Sequence, residues 1–243
     1  MGISLATIVP DKRRRVGTGL DRGRRQSYYI HTFTDVYMRR TFAEAQLTKQ
    51  ALLDAGAVVF ARVGFSRASL GVIGKEARLT RGAVYWHFHD KLDLFRQIVR
   101  RENERLDGLI ESVLAVPASP FQKLARLLDS VIDNFYDNPG FRRFIEMTWY
   151  RLDADPFKQV MKRKTAFVQN FLGRMESLLA EAAKSGEIRG DTDVSLAAFH
   201  LSCLINGFYR LYHVAPQQAR DKAKTKRLFR NHLDSLASDS RKE

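Results

Sequence analysis

The sequence predicts an all-α protein. Apolar residues recur with helical spacing from residue 48 to residue 238. The runs begin after Ser, Thr or Asp and end near Gly or Pro, the residue types that start and stop helices. No stretch alternates with the two-residue period of a strand. Two folded parts are expected, a three-helix unit over residues 38–92 and a larger helical domain over residues 93–243.

In the first part, residues 48–63 read as a helix with Leu52, Ala55, Val59 and Val63 on one face, stopped by Gly64. Ser69 is a helix cap for a short second helix that turns Leu70, Ile73 and Ala77 inward. After a three-residue turn, Thr80 caps a third helix. Ala83 and Val84 are small enough to sit against a neighbour, and Gly82 is smaller still. Arg81, Tyr85, Trp86 and His87 supply donors and flat rings for phosphates and base edges. Helix, tight turn and second helix, over residues 69–88, make a helix-turn-helix, whose second member enters the DNA major groove. Asp90 caps the next helix, with Lys91 in its first turn; backbone N–H groups and an ammonium together can hold a phosphate there.

The run Ser69-Leu-Gly-Val-Ile-Gly-Lys-Glu-Ala77, then Thr80-Arg-Gly-Ala-Val-Tyr-Trp-His-Phe88 and Asp90-Lys91-Leu92, resembles the DNA-binding domain of TetR-type transcriptional repressors. The Tyr-Trp-His-Phe form, with Arg39-Arg-Thr-Phe-Ala-Glu-Ala-Gln46 upstream, is most similar to the AcrR/TtgR-like branch that controls multidrug efflux pumps. The close resemblance spans residues 39–95. It implies operator contacts from Ser69, Thr80, Arg81, Gly82, Tyr85, Trp86, His87 and Lys91. One position departs: the family usually has glycine in the turn, where this chain has Arg78. A positive φ on a residue with a side chain costs about 1 kcal/mol.

Charge fits a polyanion partner. The chain of 243 residues carries a net charge of +14. Residues 38–100 hold +6 of it, against +4 over 101–243. Residues 1–37 hold the other +4, in a Lys-, Arg- and Gly-rich segment without apolar periodicity. That segment is expected to be a disordered extension, with Met38 as an alternative start and a minor-groove arm as its functional reading. One cysteine excludes a disulfide framework, and no apolar run approaches the ~20 residues of a membrane span. A cytoplasmic protein with no membrane partner is expected.

The second part reads as helices over 90–115, 120–136, 141–152, from Asp155-Pro156 to about residue 184, 191–213 and 216–238. Most of its aromatic side chains are expected to be ordinary core. A pocket for a small hydrophobic effector is placed among Phe141, Phe144, Met147, Phe167 and Phe171, with Cys203 and Asn206 as polar points. The helix over 191–213 carries two apolar stripes, one of Leu196, Phe199, Cys203 and Gly207, the other of His200, Leu204, Phe208 and Leu211. One stripe suffices for a helix wet on one side, so the second implies a partner, most simply another copy of the chain. The resemblance implies the same, a homodimer closed by the last two helices, with Phe199, Leu204, Phe208 and Leu211 in the seam.

Enzyme chemistry finds no footing. His200 and Cys203 lack an orienting acid, and His87 and His89 point to different sides of a helix, a poor metal pair. No cofactor and no metal site are expected. The functional expectation is a dimeric repressor on double-stranded, palindromic operator DNA, released by a small hydrophobic compound and controlling a multidrug efflux pump. The alternatives are a regulator of lipid or aromatic metabolism, or a DNA binder without a small-molecule ligand.

Overall fold

The computed structural model describes residues 22–150 and 158–238. Every named element among them is a helix: α1 (Arg22–Arg67), α2 (Leu70–Glu76), α3 (Arg81–His87), α4 (Lys91–Leu114), α5 (Pro120–Asp137), α6 (Pro139–Tyr150), α7 (Lys158–Lys184), α8 (Val194–Val214), α9 (Pro216–Ala219) and α10 (Lys222–Leu236). The chain divides into two compact units, residues 1–47 and 48–243. The second unit holds the helix-turn-helix and the larger helical part, so the division expected at residue 92 is no break in packing.

α1 starts at Arg22, so residues 22–37 are helical where no order was expected. No proline or glycine stands between Gly23 and Gly56 to interrupt it. Residues 1–21 lie outside the described residues. Gly64 adopts φ 78°, which kinks the chain where the sequence placed a stop, and one more turn follows to Arg67.

The caps are where the sequence placed them. Ser69 accepts from Val72 N at 3.2 Å, Thr80 from Ala83 N at 3.2 Å and Asp90 from Asp93 N at 2.7 Å. Arg78 has φ 57°, the strained conformation expected at this turn position for a residue with a side chain. At Gly74 a Cβ would come within 3.0 Å of Val84 Cγ2 and 3.3 Å of the Leu79 carbonyl, so any side chain there would push α2 and α3 apart by a few tenths of an ångström. Phe60, Phe65 and Phe95 pack ring against ring at 5.2–5.5 Å, joining α1 to α4. α4 continues from that core through Leu106 and Ile110 into the larger helical part.

Two boundaries differ from expectation. α6 starts at Pro139 rather than at residue 141, so Asn138 both closes α5 and opens α6: its N–H donates to the Asn134 carbonyl, and its Oδ1 accepts from Gly140 N at 3.0 Å and Phe141 N at 3.1 Å, with proline in the first helical position. The helix expected over 216–238 is two helices. Asp221 takes the Lys224 N–H at 2.9 Å and begins α10, while Tyr136 donates its hydroxyl to the Ala219 carbonyl at the break. α10 lies on α5 through a ladder of ion pairs, Lys222 with Asp133 and Asp137, Lys226 with Asp133, and Arg230 with Asp129. The Asp155-Pro156 start and Leu152 fall outside the described residues.

Candidate functional site

α3 is fastened from beneath by fully buried Val84, with Phe88 sealing its end. This leaves Arg81, Gly82, Tyr85 and Trp86 on the outside. Trp86 keeps 72% of its surface open, far more than an indole leaves in water when it serves a core. Arg81 sits 5.4 Å over the Tyr85 ring and donates to its hydroxyl at 3.4 Å, so the two form one polar edge. His87 stands edge-on to Trp86 at 4.5 Å. Burial, and then the charge of Lys49, hold the His87 pKa below the ordinary histidine value. The ring is therefore a neutral donor and acceptor at neutral pH. Lys49, on α1, had no motif to mark it; its place beside α3 comes from the fold. Thr80 and Ser69 cap their helices while staying exposed.

Lys91 departs from expectation. Its ammonium donates to three carbonyls at the end of α1 and just beyond, Phe65 at 2.8 Å, Ala68 at 2.9 Å and Ser66 at 3.3 Å, and lies 4.4 Å from the Phe65 ring centre. All three N–H bonds are thus used within the chain. Burial holds its pKa below the ordinary lysine value. The start of α4 is also unsuited to phosphate, because the carboxylates of Asp90 and Asp93 already take the N–H groups of Asp93 and His89. The local sequence could not show that the carbonyls around the Gly64 kink lie within reach.

Between α4, α5, α6, α7 and α8 lies a cavity of about 80 Å³. Phe141, Phe144, Phe167, Phe171 and Asn206 line it as expected. Asn103, Leu106, Thr148, Ser202 and Tyr209 line it as well and were missed. Met147 and Cys203 do not. Helical phase is the reason: α6 presents residues 141, 144, 145 and 148, and α8 presents 202, 205, 206 and 209, each set on one face. Met147 is buried elsewhere, and Cys203 is exposed on the far side of α8. Among the described lining residues none is charged. Asn206 donates its amide to the Ser202 carbonyl at 2.6 Å, which leaves its oxygen to accept. Burial pushes the Tyr209 phenol pKa up, so that group stays neutral.

The outer face of α8 carries Leu196, Phe199, Leu211 and Val214, each about half open, with Leu228 of α10. Phe199 and Leu211 are therefore on a free apolar face. Phe208 is not: it is buried in its own chain, 5.0 Å from the Phe135 ring and 5.7 Å from that of Tyr136. Leu204 is half-buried against the same core. The first stripe thus faces out, while the second is split: Phe208 is buried and Leu204 half-buried, but His200 and Leu211 are exposed. Among the described residues no three His, Cys, Asp or Glu side chains gather as a metal site, and no helix is long and apolar enough to cross a membrane.

Comparison with known proteins agrees with this arrangement. The family described as bacterial regulatory proteins, tetR family, matches residues 52–98, the helix-turn-helix and its flanks. The chain is 36% identical over 192 residues to the probable acrEF/envCD operon repressor of Escherichia coli K12, covering 73% of this chain and 86% of that protein. Its fold superposes on NalD, the secondary repressor of the MexAB-OprM multidrug efflux pump in Pseudomonas aeruginosa, with TM-score 0.66 and 25% identity over 80% of this chain and 99% of that one. It superposes equally, with TM-score 0.66 and 25% identity over 79% and 93% of the two chains, on a triclosan complex of SmeT, the repressor of the Stenotrophomonas maltophilia pump SmeDEF. With its helix-turn-helix, its helical second part and a relative this similar along most of its length, the chain belongs to the tetR family of bacterial regulatory proteins.

Proposed function

We propose that this protein is a dimeric repressor that grips a palindromic operator with two copies of α3 and lets go when a neutral, mainly apolar compound fills the cavity. The genes it controls are those of a multidrug efflux pump. The observation that carries this reading is the double membership of α4. Its first turns, Leu94, Phe95 and Ile98, are fully buried in the helix-turn-helix core. Two turns later Asn103 and Leu106 line the cavity.

A drug-sized ligand takes a pocket of roughly 300–1,000 Å³. The cavity at about 80 Å³ is smaller, so such a ligand binds by spreading it. The ligand then prefers a state in which α4 has moved, and this preference is what shifts the population. Paired half-sites lie about 34–36 Å apart, so a small change in the separation of two α3 helices penalises DNA binding. A preference of about 100-fold shifts the balance noticeably, and ~10⁴-fold reverses a 99:1 ratio. The apolar face of α8 with Leu228 supports closure of the dimer. The efflux assignment rests on the named relatives.

The test is to select an operator from random DNA, then titrate triclosan and a panel of neutral aromatic compounds against the complex. Operator affinity should fall as the cavity fills. Compounds that bind in the cavity while operator affinity stays constant would make this a DNA binder without effector control. Deleting the gene should raise transcription of an efflux pump; a change confined to lipid or aromatic metabolism would sink the efflux reading.

A further inference from the structure

The turn of α4 that lines the cavity also reaches α1. Asn103 and Leu106 look into the cavity. Arg101, two residues earlier, meets Asp54 Oδ1 at 2.9 Å and donates to Gln50 Oε1 at 3.1 Å, both on α1. Its Nε donates to Glu102 Oε1 at 2.9 Å, and Arg105 donates to the same oxygen at 2.9 Å. Glu102 keeps only 4% of its side-chain surface in water, and Arg101 12%. A carboxylate is buried at such cost only with its charge compensated, and here two guanidinium groups do so. The consequence is geometric. Glu102 fixes one edge of a planar, rigid fork, and the other edge is aimed at α1. A fork held this way cannot follow a sliding of α4 along α1. It either stays paired or breaks, which gives the contact two discrete states.

We propose that Arg101 is the positioning residue that couples the cavity to the DNA-binding helices, by latching α4 to α1 in the operator-binding state. This rests on the reading that the cavity takes an effector and α3 takes DNA. A latch that favours one state makes a signed prediction. Loosening it weakens operator binding and tightens effector binding, because both ligands read the same equilibrium.

The experiment uses the full chain and three variants, Arg101→Gln, Asp54→Asn and the double variant. Asp54 is 65% exposed, so its variant removes one partner of the latch without opening the core. Melting curves establish that each is folded. Operator affinity is measured on a DNA site selected from random sequence, and again on sites with one base pair added or removed between the half-sites. Triclosan binding is measured by calorimetry. The expected result is about a tenfold loss of operator affinity in both single variants, with triclosan bound tighter by a similar factor. Their discrimination against the altered spacings should fall, and the double variant should be no worse than Arg101→Gln. Unchanged operator affinity and spacing preference in both single variants overturns the latch. So does weaker operator binding with unchanged or weaker triclosan binding, the mark of local damage. If the wild type binds operator but not triclosan, the spacing preference alone decides. If it binds no selected DNA, the functional reading itself fails and the coupling role with it.

Discussion

Replacing Lys91 with alanine should destabilise the protein without changing how its DNA binding responds to salt. The ammonium holds the carbonyls of Phe65, Ser66 and Ala68, two of them partly buried, and covers the Phe65 ring. The Phe65 carbonyl keeps the Ala68 N–H at 3.2 Å, but leaving the partly buried Ala68 carbonyl without the ammonium costs about 1–3 kcal/mol. Part of this is offset because the ammonium, whose pKa burial lowers, no longer has to be desolvated. A net loss of about 2 kcal/mol in a unit of this size lowers Tm by about 4–8 °C. Lys91→Met should recover part of that, since it keeps the stem over Phe65 but not the donors. Operator affinity should fall for all sequences alike as α2 and α3 lose their anchorage. The slope of log K against log salt should hold, because no phosphate contact is removed. A melting temperature unchanged by Lys91→Ala, together with a slope shallower by about 0.9, would mean that the ammonium leaves the carbonyls for a phosphate. That result would refute the reasoning.

Four other outcomes follow from the same geometry. Arg81→Ala, on the exposed edge of α3, should leave Tm unchanged, cost about 1–3 kcal/mol of operator binding and relax base choice at one position, read by selection on randomised sites. Phe199→Glu should turn the dimer into a folded monomer in sedimentation, while Phe208→Glu, buried against Phe135, should abolish folding; a wild type monomeric at micromolar concentration would end the dimer reading. His232 has its pKa lowered by burial and by His200, and its Nε2 is buried without a partner among the described residues. The unfolded chain then binds the extra proton, so stability is full above about pH 6.5 and declines as pH falls from there toward the lowered value. Melting curves should show the decline, and His232→Gln should flatten it. A chain starting at Met38 should keep its melting temperature and its operator choice; losing affinity alone would make residues 1–37 a DNA-binding arm.

What the sequence determined by itself is local. Ser69, Thr80 and Asp90 cap helices with their own side chains, Gly64 bends the chain where it stands, and Arg78 takes the turn's positive φ. Each involves residues within a few positions, so composition and spacing carry it. The helix-turn-helix and its exposed Arg81-Tyr85-Trp86 edge were legible for that reason. What reached across the chain was not. Two apolar stripes on α8 gave no sign of which residues its own chain would cover, because hydrophobicity is non-directional. Only packing decided that Phe208 turns to Phe135 and Phe199 to the outside. Lys91 and Arg101 are long cations with several possible anions and carbonyls. Their partners, 26 residues away at Phe65 and on another helix at Asp54, are chosen by how α1 and α4 cross. The cavity likewise exists only where the phases of α4, α5, α6, α7 and α8 meet. A one-residue error in phase is enough to exchange Cys203 for Ser202 in its wall, because each residue turns a helix face by about 100°.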